Sequence, residues 1–305
     1  MRLLITGASG FVGAATLAAA LKAGHEVMAP VRPESRARRL DPFVGQYQRV
    51  AVDLRDTAGL TAAMTAFKPD VVLHLAWWGV ANAARFERRQ VSDNIESACA
   101  LIEAAAASGA GAFIGVGSQG EYGAGTTMSE DELPRPTSLY GAAKVATLFL
   151  TRQLAAQAGL RFAWLRLFST YGPDDNDGWL IPMLIQEMLA GRRPKTTLGT
   201  QTWDWLHVED VARALIAVAE TQTASGIFNL GSGRAVAVRA VVERIRDLAA
   251  PDMQLIFGEI PFRPDQVMTM QADISRLTTH TSWQPRIALE DGLASTVAWY
   301  REARR

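Results

Sequence analysis

Residues 2–23 constrain the fold more than any other stretch. Arg2-Leu-Leu-Ile-Thr6 is a short apolar run of the kind a buried strand needs, and Gly7-Ala-Ser-Gly10-Phe11-Val12-Gly13 follows it directly. Positions 14–23, rich in alanine and leucine, then read as a helix that stops at Gly24. Glycines in a strand-to-helix turn let the backbone close on a pyrophosphate. The first helical turn adds unpaired N–H groups and the positive end of the helix dipole. The spacing is Gly-x-x-Gly-x-x-Gly, a variant of the more familiar Gly-x-Gly-x-x-Gly, but it stands in the strand-turn-helix context that such a turn requires.

The same alternation continues. Strands are expected at 26–31, 50–52, 71–76, 112–116 and 162–168, and helices at 60–67 and 91–108, the latter closed by Gly109 and Gly111. Repeated β-α units argue for an α/β fold built on a doubly wound parallel sheet with helices on both faces. Beyond Tyr171-Gly-Pro173 the pattern changes to a polar loop and a helix at 179–189 with Pro182 in its first turn. A helix to about 220 and a strand at 226–231 follow, and the stretches 238–249, 260–265 (rich in proline) and 289–300 complete the later part. We expect a dinucleotide-binding domain over 1–170, completed by about 202–231, and a smaller interleaved lobe from 171–201 and 232–305.

Composition removes several classes of function. Lys plus Arg balance Asp plus Glu at 31 each, so no net field draws the chain to nucleic acid or an anionic membrane. The single cysteine, Cys99, excludes an internal disulfide framework, and no apolar run reaches the ~20 residues of a membrane helix. His25, His74, His207 and His280 lack metal-ligand spacing, so no metal site is expected. A soluble cytoplasmic protein is the expectation.

Chemistry enters at Tyr140-Gly-Ala-Ala-Lys144. Residues four apart share a helix face, so phenol and ammonium can enter one site. A lysine charge beside a phenol favours the phenolate and fits Tyr140 for general acid-base work. The same spacing also decorates ordinary helix surfaces; the glycine turn gives the pair its meaning. Ligands of open parallel sheets lie beyond the carboxyl ends of the strands, and Gly117-Ser118-Gln119-Gly-Glu-Tyr122-Gly follows the strand ending at Val116.

Together these residues resemble the short-chain dehydrogenase/reductase superfamily. Chain length and later motifs resemble its extended branch, the NAD-dependent epimerase/dehydratase family of nucleotide-sugar enzymes. The resemblance implies that Ser118 holds a substrate oxygen, Tyr140 passes the proton, and Lys144 holds the cofactor ribose. It further places Gly7, Gly10, Phe11, Val12, Gly13, Asp53, Leu54, Leu75, Ala76, Asn94 and Phe168 at the cofactor, although Asp53 would equally cap a helix. Trp77, Trp78, Gln119, Ser169, Trp203 and Arg263 fall at the sugar nucleotide. The paired tryptophans would also serve to pack the lobe interface.

Departures from the family pattern carry information. Dehydratases of the family hold an Asp-Glu pair after the catalytic hydroxyl; here Gln119 and Gly120 stand there, with Glu121 out of register. That argues against 4,6-dehydration. Ser169 replaces a substrate-binding asparagine in Arg166-Leu-Phe-Ser-Thr-Tyr-Gly-Pro173, and Trp203 replaces a diphosphate-gripping arginine, whereas Arg263-Pro264-Asp265 retains the second one. Residues 282–285 and 292–300 match the terminal signature. The second strand ends in Pro30-Val31-Arg32-Pro33, with Arg36, Arg38 and Arg39 close behind, where NAD-binding chains carry a carboxylate. Arginine suits a 2′-phosphate, so NADP is the expected cofactor, with NAD the alternative. The expectation is NADPH-dependent reduction of a 4-keto-6-deoxy nucleotide sugar. A nucleotide-sugar 4-epimerase retaining NAD is the alternative, and a non-catalytic NADP sensor stands behind both. By resemblance, a homodimer would pair the helices at 91–108 and 140–157.

Overall fold

In a computed structural model, residues 1–263 and 266–303 are described. The first half runs β1 (Arg2–Thr6), α1 (Phe11–Lys22), β2 (Glu26–Val31), β3 (Gln48–Ala51), α2 (Thr57–Phe67), β4 (Val71–His74), α3 (Arg89–Ser92), α4 (Ile95–Ala107), β5 (Ala112–Ser118), β6 (Thr127–Met128), α5 (Leu139–Ala158) and β7 (Arg161–Leu167). The second runs β8 (Ser169–Tyr171), α6 (Leu180–Leu189), β9 (Thr202–His207), α7 (Val208–Glu220), β10 (Gly226–Leu230), β11 (Ala235–Ala237), α8 (Val238–Ala249), β12 (Thr269–Ala272), α9 (Ser275–Thr281) and α10 (Leu289–Glu302).

Seven strands form one sheet in the order β10-β7-β5-β4-β1-β2-β3, with every neighbouring pair parallel. The order reverses direction beside β1, so the ends of β1 and β4 open a crevice at the switch point. One face of this sheet packs Leu3, Ile5 and Leu73 with α1 and α7 through Leu17, Val211 and Leu215. The other packs Leu4, Val72 and Phe113 with α2, α4 and α5 through Met64, Leu101 and Leu148. Burial on both faces explains why these strands read as unbroken apolar runs.

A second sheet joins β11, β9, β12 and β6 in that order, with β8 beside β9. Its core lies among α6, α8 and α10, where Leu184, Val241, Ile245 and Leu293 are buried. The interleaving is finer than residue ranges suggest. Residues 202–207 form β9 of the second sheet, whereas the following α7 packs on the first sheet and β10 lies at its edge.

Several boundaries differ from expectation for local reasons. α1 begins at Phe11, three residues early, with Gly10 as an N-cap that offers no side chain. The helix expected over 91–108 breaks into α3 and α4, because the Asn94 side chain hydrogen-bonds outward to Trp78 and Gln90 instead of letting one helix run through. β6, β8, β9, β11, β12 and α9 were not anticipated; five are strands of two to six residues, too short for periodicity to declare them.

Candidate active site

The cofactor end is built from backbone. Gly7 has φ 71°, a left-handed conformation, and a Cβ there would come within 2.6 Å of the Ala76 nitrogen. A Cβ on Gly13 would run into the Gly7 carbonyl. The turn therefore closes tightly, with Gly10 N donating to Gly7 O at 2.9 Å. α1 has no side-chain cap and no acidic residue in its first turn, so the N–H groups of Phe11, Val12 and Gly13 stay available to an anion. Leu75 and Ala76 line the turn from β4, and Ala76 N donates to Thr6 Oγ1 at 3.2 Å. A turn that any side chain would fill, beside an uncapped helix start, fits the pyrophosphate of a dinucleotide.

At the edge of that crevice the basic loop divides. Arg38 pairs with Asp174, and Arg39 donates to Asp174 O at 2.9 Å and to Asn176 Oδ1 at 3.2 Å. These two arginines tie the β2–β3 segment to the 174–176 loop, which corrects their expected place in a phosphate-binding cluster. Arg32 and Arg36 remain exposed, with Glu34 at 3.5 Å from Arg32. Asp53 does not cap α2; Asp56 does, accepting Gly59 N at 3.0 Å. Asp53 instead takes Arg55 at 2.9 and 3.0 Å, and this pairing holds its carboxyl at about 2. Leu54 packs half-buried against the core.

The end around Tyr140 is built from side chains. α5 is capped by Ser138, whose hydroxyl accepts Gly141 N at 3.2 Å. Its buried stripe runs Tyr140, Lys144, Thr147, Thr151 and Ala155, so the pair rides on the face that packs inward. Tyr140 is 7% exposed and Lys144 4%. Ser118 ends β5 and accepts Gly120 N at 3.1 Å, and its Oγ and the Tyr140 ring edge stand 3.4 and 3.5 Å from where a Cβ on Gly120 would be. Hydroxyl and phenol thus converge over Gly120.

The expected electrostatics of this pair are corrected. Lys144 Nζ does not reach for the phenol; it donates to Val116 O at 2.6 Å and sits 3.6 Å from the centroid of the Trp77 ring. Burial pushes the ammonium well below its ordinary value, and burial likewise pushes the Tyr140 phenol up, against the downward pull of Ser118 and Arg85. Lys144 alone therefore does not supply the phenolate.

Glu121 is wholly buried and fully engaged. Oε1 accepts from Ser118 N at 2.9 Å and Trp164 Nε1 at 3.0 Å, while Oε2 accepts Arg166 Nε at 2.8 Å. It braces the Ser118 turn and is not a free acid. Gln119 Nε2 meets Ser169 Oγ at 3.4 Å, so two of the positions that depart from the family pattern contact each other. Trp77 presents its edge to Tyr140 with ring centroids 6.0 Å apart, placing it in the site. Trp78 turns away and lies under Arg89 at 4.1 Å. Asn94 spends its amide on Trp78 and Gln90, and so steadies this loop instead of offering itself to a cofactor. Phe168 is buried with Tyr122, Met128 and Met270, and Trp203 donates to Val267 O at 3.0 Å beside Trp205. Arg263 is exposed ahead of β12, while Pro264 and Asp265 lie outside the described residues.

Two residues escaped the sequence reading, Gln90 and Arg85. Gln90, fully buried, accepts Trp77 Nε1 at 2.8 Å and donates to Gly79 O at 2.6 Å and Ala84 O at 3.0 Å. It clasps the loop that carries Arg85 over Tyr140. A polar residue four before Asn94, within a helix-like run, was the only local signal.

The family profile for the NAD dependent epimerase/dehydratase family matches residues 3–231. The chain belongs to this family. It is an enzyme of the extended short-chain dehydrogenase/reductase type, and membership carries a nicotinamide dinucleotide cofactor. It is 29% identical to UDP-glucose 4-epimerase of Mycolicibacterium smegmatis, over 99% of both chains. It is 27% identical to dTDP-glucose 4,6-dehydratase of Streptomyces griseus, over 99% of this chain and 94% of that one. GDP-6-deoxy-D-mannose reductase of Pseudomonas aeruginosa is 26% identical, over 97% and 96%. Among solved structures, UDP-glucose 4-epimerase of Thermotoga maritima with UDP-glucose superposes with TM-score 0.91 at 25% identity, covering 100% of both chains. MoeE5 with UDP-glucuronic acid and NAD gives 0.88 at 29%, covering 99% of this chain and 100% of that one. Among the described residues no helix is long and apolar enough to cross a membrane.

Proposed function

We propose that the enzyme reduces a 4-keto-6-deoxy nucleotide sugar with NADPH. A bound nicotinamide supplies the hydride. Ser118 holds the carbonyl oxygen, Tyr140 gives that oxygen its proton, and Lys144 turns from Val116 O to the ribose when the site fills. The observation that carries NADPH is the end of β2. Val31 is followed by Arg32, not by a carboxylate, and Arg32 and Arg36 stand exposed there. A 2′-phosphate gains charge and fork geometry from such a place, whereas a carboxylate would repel it. The locked Glu121 and the amide of Gln119 speak against elimination of water, as does the lack of an Asp-Glu pair.

The test supplies a 4-keto-6-deoxy nucleotide sugar with NADPH deuterated at the transferred position. One deuterium at sugar C4 per NADPH consumed supports the reading; consumption without incorporation, or no consumption, sinks it. The second reading is a 4-epimerase that retains NAD, favoured by the epimerases among the relatives and by the NAD held in MoeE5. It needs the same three side chains but no net reductant.

We assign the sugar nucleotide to the lobe formed by 171–201 and 232–305, with Arg263, Ser169, Gln119 and Trp77 toward it. A homodimer fits the outer face of α5, where Leu139, Phe149 and Leu150 are 41%, 44% and 46% exposed. Sedimentation of Leu150→Asp against the parent chain would test that pairing.

A further inference from the structure

Neither the glycine turn nor the Tyr-Lys helix accounts for the third charged group of the end around Tyr140. Arg85 lies on the short 3-10 helix Asn82–Phe86, and its guanidinium carbon stands 4.8 Å from the centroid of the Tyr140 ring. Nη2 comes within 3.2 Å of where a Cβ on Gly120 would be, so the fork lies against the same turn over which Ser118 and Tyr140 converge. Its Nε is buried without a hydrogen-bond acceptor among the described residues. A buried donor left unpaired is unfavourable and calls for a reason. The position is built, since the fully buried Gln90 holds the loop at Gly79 and Ala84.

We propose that Arg85 is a second positioning cation, beside Lys144, that favours ionisation of the Tyr140 phenol. The proposal rests on the reading of Tyr140 as the proton-transferring group. A cation over the ring favours the form with negative charge on it. The other groups facing the phenol are accounted for. Lys144, on α5 itself, stands 6.0 Å from the ring centroid and gives its ammonium to Val116 O and the Trp77 face. Glu121 opposes the phenolate but is paired with Arg166. Ser118 offers a neutral hydroxyl, and Trp77 a ring edge. Among the described residues Arg85 is the cation nearer to this ring, at 4.8 Å against 6.0 Å for Lys144.

The test needs no substrate. Tyrosines are replaced by 3-fluorotyrosine, whose more acidic phenol brings ionisation into the range of the folded protein. The 19F resonance of Tyr140, assigned by its loss in Tyr140→Phe, is followed with pH in the cofactor-free enzyme. Its transition should move up by roughly one pH unit in Arg85→Gln and in Arg85→Met, and at least half of that shift should be recovered in Arg85→Lys. The remaining tyrosine resonances report whether each variant is folded. A transition unmoved in the neutral variants, or moved as far in Arg85→Lys, overturns the proposal. An enzyme that fails to reduce any keto sugar would still give the shift, so this result and the proposed reaction stand or fall separately.

Discussion

The turn between β1 and α1 is made of backbone, and the end of the site around Tyr140 is made of side chains. At the turn, missing Cβ atoms at Gly7 and Gly13 and an uncapped helix start shape the cradle, within one stretch of chain. Around Tyr140, β5 contributes Ser118, α5 contributes Tyr140 and Lys144, and the β4–α3 segment contributes Trp77 and Arg85, and burial disfavours the charged forms of Tyr140 and Lys144. The first region should accept a change in side-chain chemistry but no added volume at Gly7 or Gly13. The second should be the more sensitive to a change of charge.

That contrast is open to attack, starting with the largest effect. Tyr140→Phe keeps the ring and should lower kcat/KM by about 10²–10⁴ while NADPH affinity, followed by fluorescence, holds within about twofold. A comparable loss of affinity would mean the two regions are not separable. Glu121→Ala leaves Arg166 buried without its partner and should destabilise the protein by about 3–5 kcal/mol in urea unfolding.

Lys144 gives a pH signature. Its folded value is depressed, so the unfolded chain binds the extra proton and stability rises with pH toward the ordinary 10.5. Lys144→Met should therefore stabilise the cofactor-free protein by roughly 2–4 kcal/mol near pH 6, with the gain shrinking toward pH 10. A gain independent of pH would remove burial as the cause. At the backbone end, Gly13→Ala should weaken nicotinamide-cofactor binding by about tenfold to hundredfold through overpacking against the Gly7 backbone, and the same clash should destabilise the fold by about 1–3 kcal/mol. Arg32→Gln, at an exposed side chain, should reduce the preference for NADPH over NADH by about fivefold, read as a ratio of dissociation constants.

The same contrast decides what the sequence disclosed. Gly7, Gly10 and Gly13 announce their turn because the signal lies within seven residues, and the seven-strand sheet follows from apolar runs buried on both faces. Tyr140, Lys144 and Ser118 were legible through spacing and position after a strand. Their electrostatics were not, because desolvation depends on what is packed around them: Trp77 beneath Lys144, and Arg85 above Tyr140. Arg38 and Arg39 misled for the same reason; their partner Asp174 lies more than a hundred residues away in the chain. Short strands of the second sheet, such as Thr127–Met128 and Ala235–Ala237, carry too few residues for a pattern.

The most direct test of the account is the cofactor the enzyme carries and prefers. Purified protein is denatured and its nucleotide identified by mass spectrometry, and the native protein is titrated with NADPH and NADH. A site that empties on purification and binds NADPH more tightly than NADH is the predicted result, as expected of an enzyme that exchanges reductant at every turnover. Stoichiometric, non-exchanging NAD would contradict it, make Arg32 a surface charge, and leave the epimerase as the reading that remains.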